Sequence, residues 1–180
     1  NLAQWYAAGK FAKYKTVSWL EQEDALKITF TYQAACIPTF EFTVTYTAHF
    51  DGKLGVCVNY AGVSGMPDMP VLALDFKMKK QLCNFQYYGL GPDENYSDRC
   101  KGARLGSWKS TAKENLSGYL NPQECGNRTG VRTLSIHDDM QHGLTFQKAS
   151  APFEMSVLPY SAYELENAMH LDELPSVRYT

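Results

Sequence analysis

Phe40-Glu41-Phe42-Thr43-Val44-Thr45-Tyr46-Thr47-Ala48-His49-Phe50 alternates without a break. Phe40, Phe42, Val44, Tyr46, Ala48 and Phe50 fall on one side of an extended chain. Glu41, Thr43, Thr45, Thr47 and His49 fall on the other. A period of two marks a strand with one face on a core and one face more polar. Upstream, Leu26 to Cys36 repeats the pattern, with Ile28, Phe30, Tyr32 and Ala34 opposed to Lys27, Thr29, Thr31 and Gln33. Downstream, Asp51-Gly52 supplies a hairpin turn and Lys53 to Tyr60 returns. Further strands are predicted at Thr16 to Glu21, at Val71 to Lys79 (Leu72, Leu74, Phe76 and Met78 on one face) and at Leu82 to Tyr88. Short connections between them indicate an antiparallel, all-β chain rather than βαβ units.

The rest of the chain carries weaker signals. Leu2 to Gly9 reads as a short helix, with Leu2, Trp5 and Tyr6 at helical spacing. Gly62 to Pro70 is a loop. Both periods vanish from Asp93 to Arg128, which predicts a long loop, and a loop of that length in a compact domain is functional or packed on a partner. Strands are expected again at Val131 to His137, Gly143 to Lys148 and Phe153 to Leu158. Ser161-Ala162-Tyr163-Glu164 is a capping box opening a helix from about Ala162 to Met169, with Leu165 and Met169 on one side. Leu174 to Thr180 reads as the approach to one more strand. The chain opens on Asn1 rather than Met and is read as a piece of a longer polypeptide, a single incomplete domain over residues 1–180.

Composition narrows the function. The 180 residues have a net charge of -2 and no Lys/Arg cluster, against a nucleic-acid partner. No apolar run approaches the roughly 20 residues of a membrane span. The cysteines (Cys36, Cys57, Cys83, Cys100 and Cys125) are odd in number, widely spaced and without a Cys-x-x-Cys, as in reduced thiols of the cytoplasm. Three N-glycosylation sequons, at Asn95, Asn115 and Asn127, point the other way, but so short a motif recurs by chance.

Catalytic patterns are sparse. Glu94 with Asp98, or Asp138 with Asp139, could form a carboxylate pair, as a glycosidase requires. With 19 acidic residues such neighbours are unavoidable. His137, Asp138, Asp139 and His142 read as a solvated hairpin tip rather than a metal site. No Gly-x-Ser-x-Gly elbow, P-loop or dinucleotide fingerprint occurs. The arginines are more informative. Arg132 is expected to share a face with Leu134 and Ile136, and a partly buried arginine needs a carboxylate, Glu94 and Glu124 being the candidates. Such a pair would fasten the long loop to the sheet, or hold a sugar hydroxyl.

One segment gathers these residues. Gly89-Leu90-Gly91-Pro92-Asp93-Glu94-Asn95-Tyr96-Ser97-Asp98-Arg99 resembles the Gly-x-Gly-Pro-x-Glu-Asn-Tyr-x-Asp-Arg motif in the last domain of the multidomain β-galactosidases of glycoside hydrolase family 2. Trp5-Tyr6-Ala7-Ala8-Gly9 is similar to that domain's Trp-x-x-Ala-Gly helix. Pro122-Gln123-Glu124-Cys125-Gly126-Asn127-Arg128, with Val131-Arg132-Thr133-Leu134, resembles its Pro-x-Glu-x-Gly segment and the following strand. Glu164-Leu165-Glu166, Ala168, His170 and Glu173-Leu174-Pro175 resemble its last helix and exit.

The resemblance implies an antiparallel β-supersandwich of the galactose mutarotase type, with short helices near both ends. It implies a parent enzyme that hydrolyses terminal β-galactosides such as lactose. That enzyme uses Mg²⁺ and Na⁺ and carries its two catalytic glutamates in a separate barrel domain. No catalytic residue and no metal ligand is therefore expected in this chain. The partners implied are that barrel domain or a large subunit, the galactoside only indirectly, and an oligomeric assembly. The pocket tryptophan of the family lies in a Gly-Gly-Asp-Asp-Ser-Trp motif absent from residues 1–180, so Trp5, Trp19 and Trp108 do not inherit its role. Glu94, Asn95, Asp98, Arg99, Glu124, Arg128 and Arg132 are the candidate carbohydrate-binding or structural residues. Three readings compete: a non-catalytic assembly domain, a stand-alone carbohydrate-binding module, and a mutarotase-like epimerase using His49 or His137.

Overall fold

The computed structural model describes residues 2–178 and 180. The chain divides into two compact units, Asn1–Leu74 and Asp75–Thr180. Both are built from antiparallel sheets with a few short helices.

The first unit is one four-stranded meander, β1 (Lys13–Glu21), β2 (Ala25–Gln33), β3 (Glu41–His49) and β4 (Leu54–Asn59), in spatial order β1-β2-β3-β4. The β2–β3 register pairs Ile28 with Tyr46, Phe30 with Val44 and Tyr32 with Phe42. The flanking registers add Trp19 opposite Ile28, Val17 opposite Phe30, Val58 opposite Val44 and Val56 opposite Tyr46. One face is thus apolar from edge to edge. The other carries Thr16, Ser18, Thr29, Thr31, Thr43, Thr45 and Thr47, with a Thr29–Thr45 hydroxyl contact of 3.0 Å at its centre. The period-2 pattern is realised as predicted. The β3–β4 turn places Gly52 at φ 88°, a left-handed conformation that glycine adopts without strain. The N-terminal helix α1 (Ala3–Ala8) is held in this unit by Trp5. Its Nε1 donates to the Pro67 carbonyl at 3.0 Å, and its ring meets Phe40 and Tyr60 edge-on or tilted.

The second unit is a four-stranded sheet and a two-stranded ribbon. β5 (Asn84–Gly91) lies between β6 (Arg104–Thr111) and β8 (Thr133–His137), with β9 (Gly143–Gln147) outside β8. β7 (Arg128–Val131) pairs with β10 (Phe153–Met155). The core lies on one side of β5 and β8, where Phe85, Tyr87, Leu134 and Ile136 are buried with Met78, Ala112, Val131, Met155 and Val157.

Four expectations are corrected here. The strand expected at Val71 to Lys79 does not form: residues 71–78 are irregular, and Val71, Leu72, Leu74 and Phe76 are exposed. Alternation supplies one apolar face, but a strand also needs a neighbour for its backbone groups. At the end of the segment Met78 exchanges two hydrogen bonds with Thr180. The loop expected from Asp93 to Arg128 contains a full strand, β6. Its period was hidden because the inward positions are Gly106, Trp108 and Ser110. The Trp108 ring lies on Gly106 and Gly91, so one large side chain fills the space of three. The strand expected at Val131 to His137 is broken at Arg132 into β7 and β8. Helix α2 (Ala162–Asn167) starts at the expected capping box, with Ser161 and Glu164 exchanging bonds, and buries Leu165. Met169 lies beyond its end and is exposed, so the two residues do not share a buried side.

Glycine at position 91 follows from packing. An added Cβ would collide with the Tyr87 hydroxyl and lie 2.9 Å from Trp108 Cδ1 and Nε1. Gly91→Ala is expected to destabilise the chain by about 1–3 kcal/mol, the usual cost of overpacking. A fall in the urea midpoint with little change in slope would show it.

Candidate functional site

The turn after β5 is built on two adjacent side chains that point into different networks. Glu94 is the first. Its Oε1 accepts from Arg99 Nη2 at 2.7 Å and from the Tyr119 hydroxyl; its Oε2 accepts from Ser117 Oγ at 2.8 Å and from the Gly126 amide at 2.5 Å. One carboxylate thereby ties the turn to two separate parts of the following excursion. Arg99 also donates to Tyr119 and stacks on Tyr96, 4.7 Å from its ring centre. Burial pushes the Glu94 carboxyl up. The donors Tyr119, Gly126 N–H and Ser117, with the Arg99 charge, outweigh that, and the net effect is a value below its ordinary 4.5. Burial, together with the charges of Glu94 and Glu124, pushes the Tyr96 hydroxyl up to about 12.

Asn95 is the second, only 2% exposed. Its Nδ2 donates to the Leu90 and Asp93 carbonyls at 3.1 and 3.0 Å. Its Oδ1 accepts from the Thr129 amide at 3.0 Å and the Thr129 hydroxyl at 2.6 Å. Its backbone N–H bonds the Asn127 carbonyl, and its carbonyl accepts from Asn127 Nδ2. Every polar atom of the amide is engaged, as a buried amide requires. Asn127 also reaches Glu154 at 2.9 Å, and Asn115 bridges the Gly126 and Val157 carbonyls at 3.0 Å each. All three sequon asparagines are therefore interior hydrogen-bonding residues, at 2, 4 and 8% exposure for Asn95, Asn115 and Asn127. A glycan on any of them is incompatible with the fold.

Gly126 completes the frame. Its φ of 72° is left-handed, and a Cβ there would lie 2.7 Å from the Asn115 carbonyl oxygen. That geometry aims its N–H at Glu94. Two residues on, Arg128 is 93% buried and, among the described residues, forms no ion pair with a carboxylate. Nε contacts the Tyr87 hydroxyl and the Pro92 carbonyl at 3.0 Å each, and Nη1 contacts the Gly126 and Asn127 carbonyls at 3.2 and 3.0 Å. Backbone carbonyls and a phenol thus solvate the guanidinium.

Of the seven candidate residues, the fold brings Glu94, Asn95, Arg99 and Arg128 into this region in engaged roles. Asp98 and Glu124 are exposed and make no ion pair among the described residues. Arg132 corrects the expected buried Arg–Glu pair. It sits at the break between β7 and β8, donates to the Gly130 carbonyl at 2.8 Å and lies over the Tyr88 ring, so its partners are a carbonyl and an aromatic face. The pair that does fasten the loop is Glu94–Arg99, five residues apart and half in solvent. Tyr119 and Ser117 escaped sequence reading because side chains in irregular segments leave no period, and the strand holding Thr129, β7, is only four residues long. The sequons at Asn95 and Asn127 were the one available trace of Asn and Thr at these positions.

Elsewhere, Asp138 caps the β8–β9 hairpin tip by accepting from the Met140 and His142 amides, in agreement with a solvated tip. Among the described residues no three His, Cys, Asp or Glu side chains converge as a metal-binding group. The five thiols are free, and among the described residues no helix is long and apolar enough to cross a membrane. The arrangement around Glu94 is that of a clamp whose polar atoms are turned on the protein itself.

Comparison with known proteins places this clamp in a family. Residues 1–180 match the family described as Beta galactosidase small chain, and the chain belongs to that family. It is 41% identical over 179 residues to a β-galactosidase of Halalkalibacterium halodurans, covering 98% of this chain and 18% of that protein. A β-galactosidase of Streptococcus thermophilus is 35% identical over 174 residues, covering 97% and 17%. A protein named β-galactosidase small subunit, from Latilactobacillus sakei, is 36% identical over 170 residues, covering 89% and 53%. The chain therefore spans about a sixth to a half of the length of these relatives.

The two halves of the clamp are separable by mutation. Asn95→Ala strands the Thr129 amide and the Leu90 and Asp93 carbonyls, and unsatisfied buried groups cost about 1–3 kcal/mol each before relaxation; a melting temperature lowered by many degrees is expected. Glu94 has a depressed folded value, so its contribution is complete above the unfolded value and is lost as pH falls through the folded one. Glu94→Gln is expected to flatten the acid limb of a stability-versus-pH curve below about pH 4.5. An unchanged acid limb would remove Glu94 from this role.

Proposed function

We propose that this chain is a non-catalytic part of a β-galactosidase acting on terminal β-D-galactosides. Its role is to help assemble that enzyme and to support the rim of its active site within a supersandwich domain. The observation that carries the reading is the uncovered apolar face of the β1–β4 sheet. A sheet with one apolar face is stable when that face is covered, yet Trp19, Tyr14 and Leu54 on it are 69, 56 and 60% exposed. The buried apolar residues of that unit are Ala8, Ala25 and Ala34 alone among those described. Exposed apolar surface of this extent marks an interaction site. Its match to relatives several times longer, and to one protein named as a small subunit, supports the remainder of such an enzyme as the covering partner.

The parent's catalytic glutamates, Mg²⁺ and Na⁺ are assigned by this reading to the barrel portion, and the assembly is an oligomer. Cytoplasmic folding is part of the proposal. Five free thiols and three sequons closed inside the fold both suit a compartment without disulfide formation or N-glycosylation.

The isolated chain is expected to leave a chromogenic β-galactoside uncleaved. Mixed with the separately produced catalytic portion, it should restore hydrolysis and co-sediment with it, and Trp19→Glu with Tyr46→Glu should weaken that association at least tenfold. Turnover by the isolated chain that vanishes in Glu94→Gln would overturn the proposal.

A further inference from the structure

Residues 72–78 alternate as a strand does without forming one, and the end of the segment shows what is missing. The Met78 N–H donates to the Thr180 carbonyl at 2.8 Å, and the Thr180 N–H donates to the Met78 carbonyl at 3.2 Å. Two residues that exchange both backbone bonds are a hydrogen-bonded pair of an antiparallel ladder. The pair fixes a direction. Chain leaving Thr180 runs back alongside Phe76 and on towards Leu72.

Three features of this strip suit an added strand. First, in a strand running on from Met78, the backbone groups of every second residue point to one edge. Those of Phe76, Leu74 and Leu72 share the Met78 edge, and among the described residues they have no hydrogen-bond partner. Such a row of unpaired groups is a template for another strand. Second, the side chains of these residues form one apolar face that is closed only beside Thr180. Met78 lies in the core of the second unit, 8% exposed, and Phe76 packs on Phe146 with ring centres 5.2 Å apart. Phe76 and Leu74 are 47 and 46% exposed, and Leu72 is 61% exposed. Third, no proline or glycine interrupts residues 71–79, so the backbone can carry a ladder throughout.

We infer that residues 72–78 are the docking edge for the stretch of the same polypeptide that directly follows Thr180, which adds to them as an antiparallel strand. The second residue after Thr180 then stands opposite Phe76, the fourth opposite Leu74 and the sixth opposite Leu72. This stretch is favoured over a second copy because Thr180 delivers it. Its first residue starts one strand spacing from the edge, about 4.8 Å, and a tethered segment acts at an effective concentration of order millimolar. Relatives of which this chain makes up 17–18% carry further polypeptide. The register also sets the chemistry of the occupant. Directly opposed residues share a face, so its second and fourth residues, beside Phe76 and Leu74, are apolar. The inference rests on chain direction and register, not on the β-galactosidase reading, and its failure leaves the assembly role standing.

The test compares amide exchange in ¹⁵N-labelled residues 1–180 with that in the same chain extended by about ten residues of its natural continuation, a strand's length. The Leu72, Leu74 and Phe76 amides are expected to slow at least tenfold in the extended chain, while those of Ala73 and Asp75, which face the other edge, do not. Leu74→Pro removes one donor of the ladder. It should leave the melting temperature of residues 1–180 unchanged and lower that of the extended chain by several degrees. Equal exchange in the two chains would overturn the inference, as would slowing at Ala73 and Asp75 instead, or charged residues at both the second and fourth positions. Slowing that depends on protein concentration, the mark of a second copy, would overturn it too. If the extended chain does not fold, the full-length polypeptide decides. Asp75→Cys, combined with a cysteine three residues after Thr180, occupies a non-hydrogen-bonded rung with Cα atoms about 4.5 Å apart, a spacing a disulfide spans. Oxidation should join that pair and not one shifted by a residue; the absence of the disulfide would contradict the register.

Discussion

The second unit depends on one turn that faces inward. β5 ends at Gly91, the chain reverses at Pro92, and Glu94 and Asn95 follow, a carboxylate and an amide whose polar atoms bond both to the turn itself and to segments 23–34 residues later. A buried amide is favourable when its polar atoms are satisfied, and Asn95 meets that condition with four side-chain hydrogen bonds, whereas Asn115 Oδ1 has no partner among the described residues. The irregular chain between β6 and β7 has few apolar residues to bury. Glu94, Asn95, Asn115 and Arg128 replace that missing hydrophobic contact with hydrogen bonds to backbone, which fix where the segment runs rather than merely hold it close. The tight fit of Gly91, Trp108 and Tyr87 then sets the level at which the turn leaves the sheet.

Much of the architecture was legible because strand periodicity is local. β2, β3 and their hairpin could be read from alternation and Asp51-Gly52, and α2 from the chemistry of its cap. Failures came where a signal depends on partners. Residues 71–78 alternate, but alternation says which side chains share a face, not whether a neighbouring strand exists. β6 was hidden for the opposite reason, since a single Trp108 laid over glycines does the packing of an apolar row. Arg132 was placed on the Leu134 face by counting along one strand, and the break at that residue undid the count.

For the candidate site, the motif from Gly89 to Arg99 was conspicuous while its chemistry was not. A run of Asp, Glu, Asn and Arg beside a turn looks like a surface made for a ligand. Tertiary structure separates those residues by fate: Glu94 and Asn95 turn inward, Asp98 stays in solvent, and Arg99 closes over the Glu94 carboxylate. No local rule distinguishes them, because most of the donors that claim them are distant in sequence: Ser117, Tyr119 and Gly126 lie in irregular chain, and Thr129 in the short strand β7. The two units also differ in how they meet solvent. The second has a closed apolar core, whereas the first exposes Trp19, Tyr14 and Leu54 on the apolar face of its sheet.

The inward-facing turn is most directly tested by native-state hydrogen exchange at two amides, Gly126 N–H bonded to Glu94 and Thr129 N–H bonded to Asn95. Gly126 lies in irregular chain and Thr129 near the start of the short strand β7, where amides exchange through small local openings. If the clamp organises this unit, the two amides are protected to the same degree as those of Phe85 and Tyr87 in β5, and exchange only with its global unfolding. Exchange at the rate of an open loop, with β5 still protected, would contradict the account.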